Sequence, residues 1–227
     1  MAASKLPEIL IFLTRGGISF FEPKANLSVT LTIPETMVKD LEVVDASGLS
    51  AWIAGFLDKE KLGPALALIV LAEAISFTKD VEPGEESRSG VLVQDFTDSV
   101  PLESPEVRVF KTQGFDKLVA VNSRYYQVLV ETLTAKGFSV AGVVPGSIIP
   151  EVAAATTLSL DITKKILEGF DKYRFQNFID ISEVNSQVQT APVITTNAPK
   201  GSRIYVLVGI FILGAIILVL LLTLRPR

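Results

Sequence analysis

Apolar and polar positions along this chain follow two different rhythms, and the rhythm sets the element each stretch forms. Residues 8–13 and 18–22 are apolar runs rich in Ile, Leu and Phe, separated by Thr14, Arg15, Gly16 and Gly17. This predicts a β-hairpin whose glycines take positive φ. Over 27–33, Leu27, Val29, Leu31 and Ile33 alternate with Ser28, Thr30 and Thr32, the mark of a strand with one buried and one solvated face. The rhythm then becomes helical. Leu49, Trp52, Ile53, Phe56 and Leu57 share one face behind a cap at Asp45 or Ser47, and Gly63 with Pro64 is the expected stop. That face places Trp52 in the core.

Residues 65–71 are continuously apolar, which predicts a central strand, and 75–81 reads as its neighbour. After a polar link at 83–89, Val91, Leu92, Asp95 and Phe96 mark a short helix that ends near Pro101. Strands at 107–112 and 117–121 form a second hairpin around Gly114. Ser123 is the expected cap of a helix carrying Tyr126, Leu129, Val130 and Leu133, with Gly137 as its left-handed terminus. Residues 138–144 return as a strand. A helix between two strands makes a βαβ unit, so 117–121 and 138–144 are expected parallel and adjacent, or nearly so, through a right-handed crossover. With helix again over 150–173, residues 1–175 read as one mixed α/β domain.

Beyond it the pattern changes twice. Residues 176–202 read as a membrane-proximal tether, rich from 186 onward in Thr, Asn, Gln, Ala and Pro, with a mean reach of about 20–25 Å. Residues 203–224 then read as a transmembrane helix, anchored through Ile204, Phe211, Ile217 and Leu224, and 225–227 as a short tail. The 21 residues of 204–224 carry no charge, and sixteen are Leu, Ile, Val or Phe. As a helix they reach about 31 Å against a hydrocarbon core of about 30 Å. The lipid bilayer is thus the first expected partner. Gly209 and Gly214 lie five apart rather than four, which gives weak grounds for a helix dimer; homo-oligomers stay open. Lys200 and Arg203 balance Arg225 and Arg227 across the run, so charge leaves orientation open. The apolar stretch at 9–13 is too short for a secretory signal, so the expected placement is single-pass in the inner, cytoplasmic membrane with the N-terminal domain cytoplasmic.

Composition narrows the chemistry. The chain has no Cys and no His, which removes disulfides, thiolate nucleophiles, the usual zinc sites and imidazole acid–base catalysis. A net charge of −4 with scattered Lys and Arg speaks against nucleic acid. Gly16 and Gly17 lack a following Lys at P-loop spacing and read as a plain turn. Glu73, Asp80 and Glu82 are in reach of an acid–base pair, yet isolated carboxylates on turns are far commoner. Ser123 is a cap before it is a nucleophile, and Asp95 with Asp98 make a solvated face. No catalytic, cofactor or metal residue is assigned. Phe175, Phe178, Ile179 and Ile181, mixed with Asn177 and Asp180 just before the tether, are candidates for binding a partner by strand or helix addition; packing back on their own domain is the alternative.

Over about 7–155 the order of these phrases resembles PilM-type pilus-assembly proteins and the related GspL-type proteins of type II secretion. The phrases are Ile9-Leu10-Ile11-Phe12 with the Gly16-Gly17 turn, Leu68 to Glu73 followed by Ile75-Ser76-Phe77-Thr78, and Leu118-Val119-Ala120-Val121 leading through a helix to Gly137-Phe138-Ser139-Val140 and Val144-Pro145-Gly146-Ser147. The resemblance implies an actin-like (ribonuclease H-like) body; with the β-hairpins and βαβ unit read above, the chain is expected to hold half of one ahead of the C-terminal transmembrane helix. The resemblance also implies an acid beside the glycine turn for nucleotide binding. Thr14 and Arg15 stand there instead, and the second lobe is missing after about Ala155, so ATP binding is expected to be lost. The expected function is a non-enzymatic membrane scaffold that recruits inner-membrane assembly proteins of a type IV pilus or type II secretion machine. The alternatives are a tethered enzyme or nucleotide-dependent regulator completed by a partner, and a general envelope or division scaffold.

Overall fold

Strand pairing separates the described residues into two larger sheets and one two-strand ribbon. The computed structural model describes residues 6–82, 89–112, 114–153, 155, 157–173 and 176–179. The first sheet opens with β1 (Glu8–Leu13), β2 (Gly17–Glu22) and β3 (Leu27–Thr32), an antiparallel meander. β6 (Leu66–Leu71) pairs parallel to β1, and β10 (Ser139–Pro145) parallel to β6, giving the order β10-β6-β1-β2-β3. Five of six residues are buried in both β1 and β6. Strands whose two sets of side chains are both buried have both faces covered. α1 (Ala46–Lys59) and α3 (Ser123–Ala135) pack together over one face, where Phe56 stacks on Phe20 at 5.7 Å and Ser50 shares a 2.8 Å hydrogen bond with Thr132. α4 (Leu160–Glu168), followed by the single turn α5 (Phe170–Tyr173), reaches β1 and β2 from the other.

Between β6 and α3 the chain builds a second, three-stranded sheet. β7 (Ser76–Val81), α2 (Ser89–Ser99), β8 (Pro105–Lys111) and β9 (Asp116–Asn122) follow one another, with β9 central and antiparallel to both neighbours. Pleating splits β9: Leu118 and Ala120 join Phe96 of α2 and Val100 just beyond it in a small core, while Val119 and Val121 belong to the main one. A two-strand ribbon, β4 (Val38–Lys39) with β5 (Glu42–Val43), completes the elements. Glu42 ties this ribbon to the second sheet by accepting hydrogen bonds from the Asn122 amide at 2.5 Å and the Glu103 backbone at 3.0 Å.

Several expectations change here. β9 and β10 flank α3 as foreseen, but they lie in different sheets. β7 and β8 occupy both edges of β9, so β10 takes the free edge of β6. For the same reason β7 is not the neighbour of β6. Trp52 is 46% exposed; the buried stripe of α1 is Leu49, Ile53 and Leu57, and the indole lies at its margin, donating to the Thr32 carbonyl at 3.0 Å. Among the described residues the positive-φ glycines are Gly114 and Gly137 only. Gly17 is required for another reason: a Cβ there would sit 2.4 Å from the Leu31 carbonyl oxygen on β3. Lys61 rather than Gly63 takes the left-handed turn after α1, and Asn122 rather than Ser123 caps α3, accepting from the Arg124 amide at 2.9 Å.

A candidate docking site between the two sheets

Two strand edges end the pairing on one side of the body. β10 is the outer strand of the five-stranded sheet and β8 an outer strand of the smaller one. An unpaired edge presents backbone donors and acceptors that another extended segment can satisfy. The last described segment, 176–179, fills that role within this chain. The Phe178 amide donates to the Val143 carbonyl of β10 at 2.8 Å. On the β8 side, the Arg108 guanidinium donates to the Asn177 carbonyl at 3.1 Å. The Asn177 side-chain oxygen turns back to accept from the Ile179 amide at 2.6 Å, a local bond that holds the segment's bend. Gly142 leaves the room: a Cβ there would lie 3.4 Å from that of Asn177.

The Phe178 ring enters an aromatic pocket and is 2% exposed. It meets Phe110 of β8 edge-on at 5.1 Å and Tyr126 of α3 at 6.0 Å, both within the range of favourable ring pairs. Around the pocket runs a polar set from β8 and α3. Glu106 accepts from the Arg108 Nε at 3.0 Å and from the Tyr126 hydroxyl. Burial above all, and then the Glu106 carboxylate, push the Tyr126 phenol far above its ordinary value, so it stays a donor throughout the physiological range. The arrangement recognises a peptide by a backbone bond to an edge strand, an arginine on a carbonyl and an apolar pocket for one ring.

Of the four residues proposed for partner binding, the structure places Phe178 in its own core and Ile179 half-buried against it. Phe175 and Ile181 lie outside the described residues, as do Ile204, Phe211, Ile217 and Leu224. Among the described residues no helix is long and apolar enough to cross a membrane. The sequence reading missed Arg108, Glu106, Tyr126 and Val143 as members of the site. Glu106 and Arg108, two apart on a strand, share a face, which is the only local signal they carry.

The hairpin turn between β1 and β2 is closed on itself. The Thr14 amide and hydroxyl both donate to the Gly17 carbonyl, at 2.9 and 3.0 Å, and the Thr14 carbonyl accepts from the buried Tyr125 hydroxyl at 2.9 Å. Arg15 points outward and pairs with Asp40 at 3.1 Å. Glu73 lies in a 3-10 turn after β6, whereas Asp80 and Glu82 lie at the far end of β7; all three are exposed. No group of three or more His, Cys, Asp or Glu suited to a metal comes together among the described residues.

No family model and no curated protein sequence matches the chain. Solved structures do resemble it. One is the cytoplasmic domain of EpsL, an inner-membrane component of the type II secretion system of Vibrio cholerae: 17% identity, TM-score 0.37, covering 61% of this chain and 57% of that one. A second is the PilM–PilN type IV pilus biogenesis complex, at 9% identity and TM-score 0.41, covering 60% and 46%. A third is a protein of Bacteroides thetaiotaomicron with an actin-like ATPase fold and unknown function, at 16% identity and TM-score 0.36, covering 61% and 53%. The matched part spans about half the length of each of these chains. They include the pilus and secretion proteins that the ordered sequence phrases resemble.

Proposed function

We propose that this chain is a non-enzymatic scaffold of the inner membrane, with a cytoplasmic body that captures partner proteins of a type IV pilus or type II secretion kind. The body is read as one lobe of an actin-like architecture: an antiparallel meander extended by two parallel strands, with a small sheet inserted before the last of them. The observation that carries the reading is the position of the filled cleft. Segment 176–179 is held between the edges of β8 and β10, and the polar stretch and uncharged run of 204–224 follow directly in sequence. On this reading the peptide-recognising edge and the membrane-spanning segment are joined by residues 180–203 of the same chain. An extended, Phe-bearing segment of a partner competes with 176–179 for the Val143 carbonyl and the Phe110–Tyr126 pocket.

The test is purification of the tagged full-length chain from membranes in mild detergent, with the co-purifying proteins identified. Inner-membrane pilus or secretion components are expected, and their yield should fall when Arg108 is replaced by Ala. The reading fails if the chain partitions into the aqueous phase without detergent, if those components are absent, or if the chain alone hydrolyses ATP at a sustained rate.

A further inference from the structure

The body binds its lysines together where the sequence had seemed to scatter them. Lys111 at the end of β8, Lys117 on β9 and Lys172 in α5 line one cleft of about 500 Å3, although the chain as a whole carries a net charge of −4. Like charges brought into one concavity raise each other's energy unless an anion joins them, and low-dielectric walls strengthen that effect. Partial compensation exists: Asp80, 64% exposed, stands 3.5 Å from Lys117, whose own side chain is 18% exposed, and the Glu151 carboxylate acts on Tyr173 of the cleft wall. No carboxylate is among the described residues that line the cleft.

The cleft also holds neutral hydrogen-bonding groups. The Ser147 Oγ is buried in its wall and has no hydrogen-bond partner among the described residues. Such a group is costly to leave unmatched and calls for an explanation. Its position is fixed by Gly146, where a Cβ would fall 2.8 Å from both the Leu71 carbonyl oxygen and a Val152 methyl, so the turn after β10 is pressed against β6. Tyr173 lines the same wall, and burial together with Glu151 raises its phenol above the ordinary value, which keeps it a proton donor. Lys117 and Lys172 lie over the rings of Phe115 and Tyr173 at 5.7 and 5.4 Å, so the cleft gathers cationic donors around a Ser147 hydroxyl that has no partner among the described residues.

We propose that this cleft binds a phosphate ester, seated on Lys111, Lys117 and Lys172 with the Ser147 hydroxyl donating to a phosphate oxygen. An anionic phosphate ester has two or more non-bridging oxygens that each accept hydrogen bonds, which suits donors arriving from three separate elements. A small soluble phosphate monoester and the headgroup of an anionic phospholipid share this chemistry. The cleft shares Gln176 with the docked segment but none of the residues that hold Phe178, so its test does not depend on the scaffold reading.

The full-length chain is tested in nanodiscs of neutral phosphatidylcholine by titration with glycerol 3-phosphate, followed by 31P line broadening, and in parallel in nanodiscs with added phosphatidylglycerol. Saturable broadening identifies a soluble ester as the ligand. Protection of Lys111 and Lys172 from acetylation only in phosphatidylglycerol identifies the headgroup. In either arm the triple substitution K111Q/K117Q/K172Q is expected to weaken binding at least about tenfold, and S147A by a few-fold. Acetylation mapping on the unsubstituted chain gives a reading that does not depend on the variants folding. Absence of both saturable broadening and lysine protection in both arms overturns the proposal, as does binding that a folded triple variant retains in full.

Discussion

Gly17 shows how a residue that looks like a flexible turn serves a packing requirement instead. It begins β2, directly across from Thr32, and the Leu31 carbonyl oxygen occupies the place of a side chain. Gly17→Ala is therefore expected to destabilise the body by about 1–3 kcal/mol, the usual range when atoms are forced into a filled space, read as a lower urea midpoint at unchanged slope. Tyr125 is a second such residue. Its phenol is buried and lies well above its ordinary value because of that burial. The unfolded chain releases this proton near pH 10 while the folded chain keeps it. The contribution to stability is thus fully present below about pH 10 and is lost as pH rises further. Tyr125→Phe should lower stability at neutral pH, because the bond to the Thr14 carbonyl is gone, yet flatten the loss above pH 10; urea midpoints from pH 7 to 11 give both. Trp52 marks the limit of residue-level reading. Helical spacing put it beside Leu49 and Ile53, but the indole sits at the stripe's edge beside β3, and whether a strand is an edge is not written in its own residues.

At the scale of elements, local pattern was a good guide to existence and a poor one to pairing. The alternation over 27–33, the cap at Asp45, where the side chain accepts from the Gly48 amide at 2.8 Å, and the hairpin around Gly114 all match the structure. The βαβ inference failed because β9 has both edges filled antiparallel by strands that precede it, and that competition is a long-range property. The same limitation hid Arg108 and Val143 from the site: their roles follow from β8 and β10 ending two different sheets. The inserted sheet has its own small core under α2, which makes it a candidate unit of local opening. Phe96→Ala removes the largest side chain of that core, at a cost of about 3–5 kcal/mol if the cavity does not collapse. Faster hydrogen exchange is expected at amides of β7, β8 and α2, with those of β1 and β6 unchanged; equal loss of protection in both sheets would mean that they open together.

On the scale of the whole chain, the sequence spoke most plainly about 204–224 and least about the cleft between the sheets. The expectation of a membrane run there rests on composition and length alone, on which bilayer insertion depends, and 204–224 lie outside the described residues. A docking site depends on residues far apart, such as Arg108, Tyr126 and Phe178. If the two work together, their coupling is one of concentration. On the proposed scaffold reading, a tether of about 20–25 Å keeps the body in a shell where a membrane partner's effective concentration is on the order of millimolar, so weak contacts suffice. That argument asks only for an anchor, not for a particular one. Replacing 204–224 with an unrelated apolar helix of equal length should therefore preserve partner capture from membranes. Removing 204–224 should release the body to the aqueous phase with its melting temperature unchanged and capture reduced by about 100-fold, matching the loss of avidity. Capture that survives release at full strength would show that the cleft binds tightly by itself and that the membrane run serves some other end.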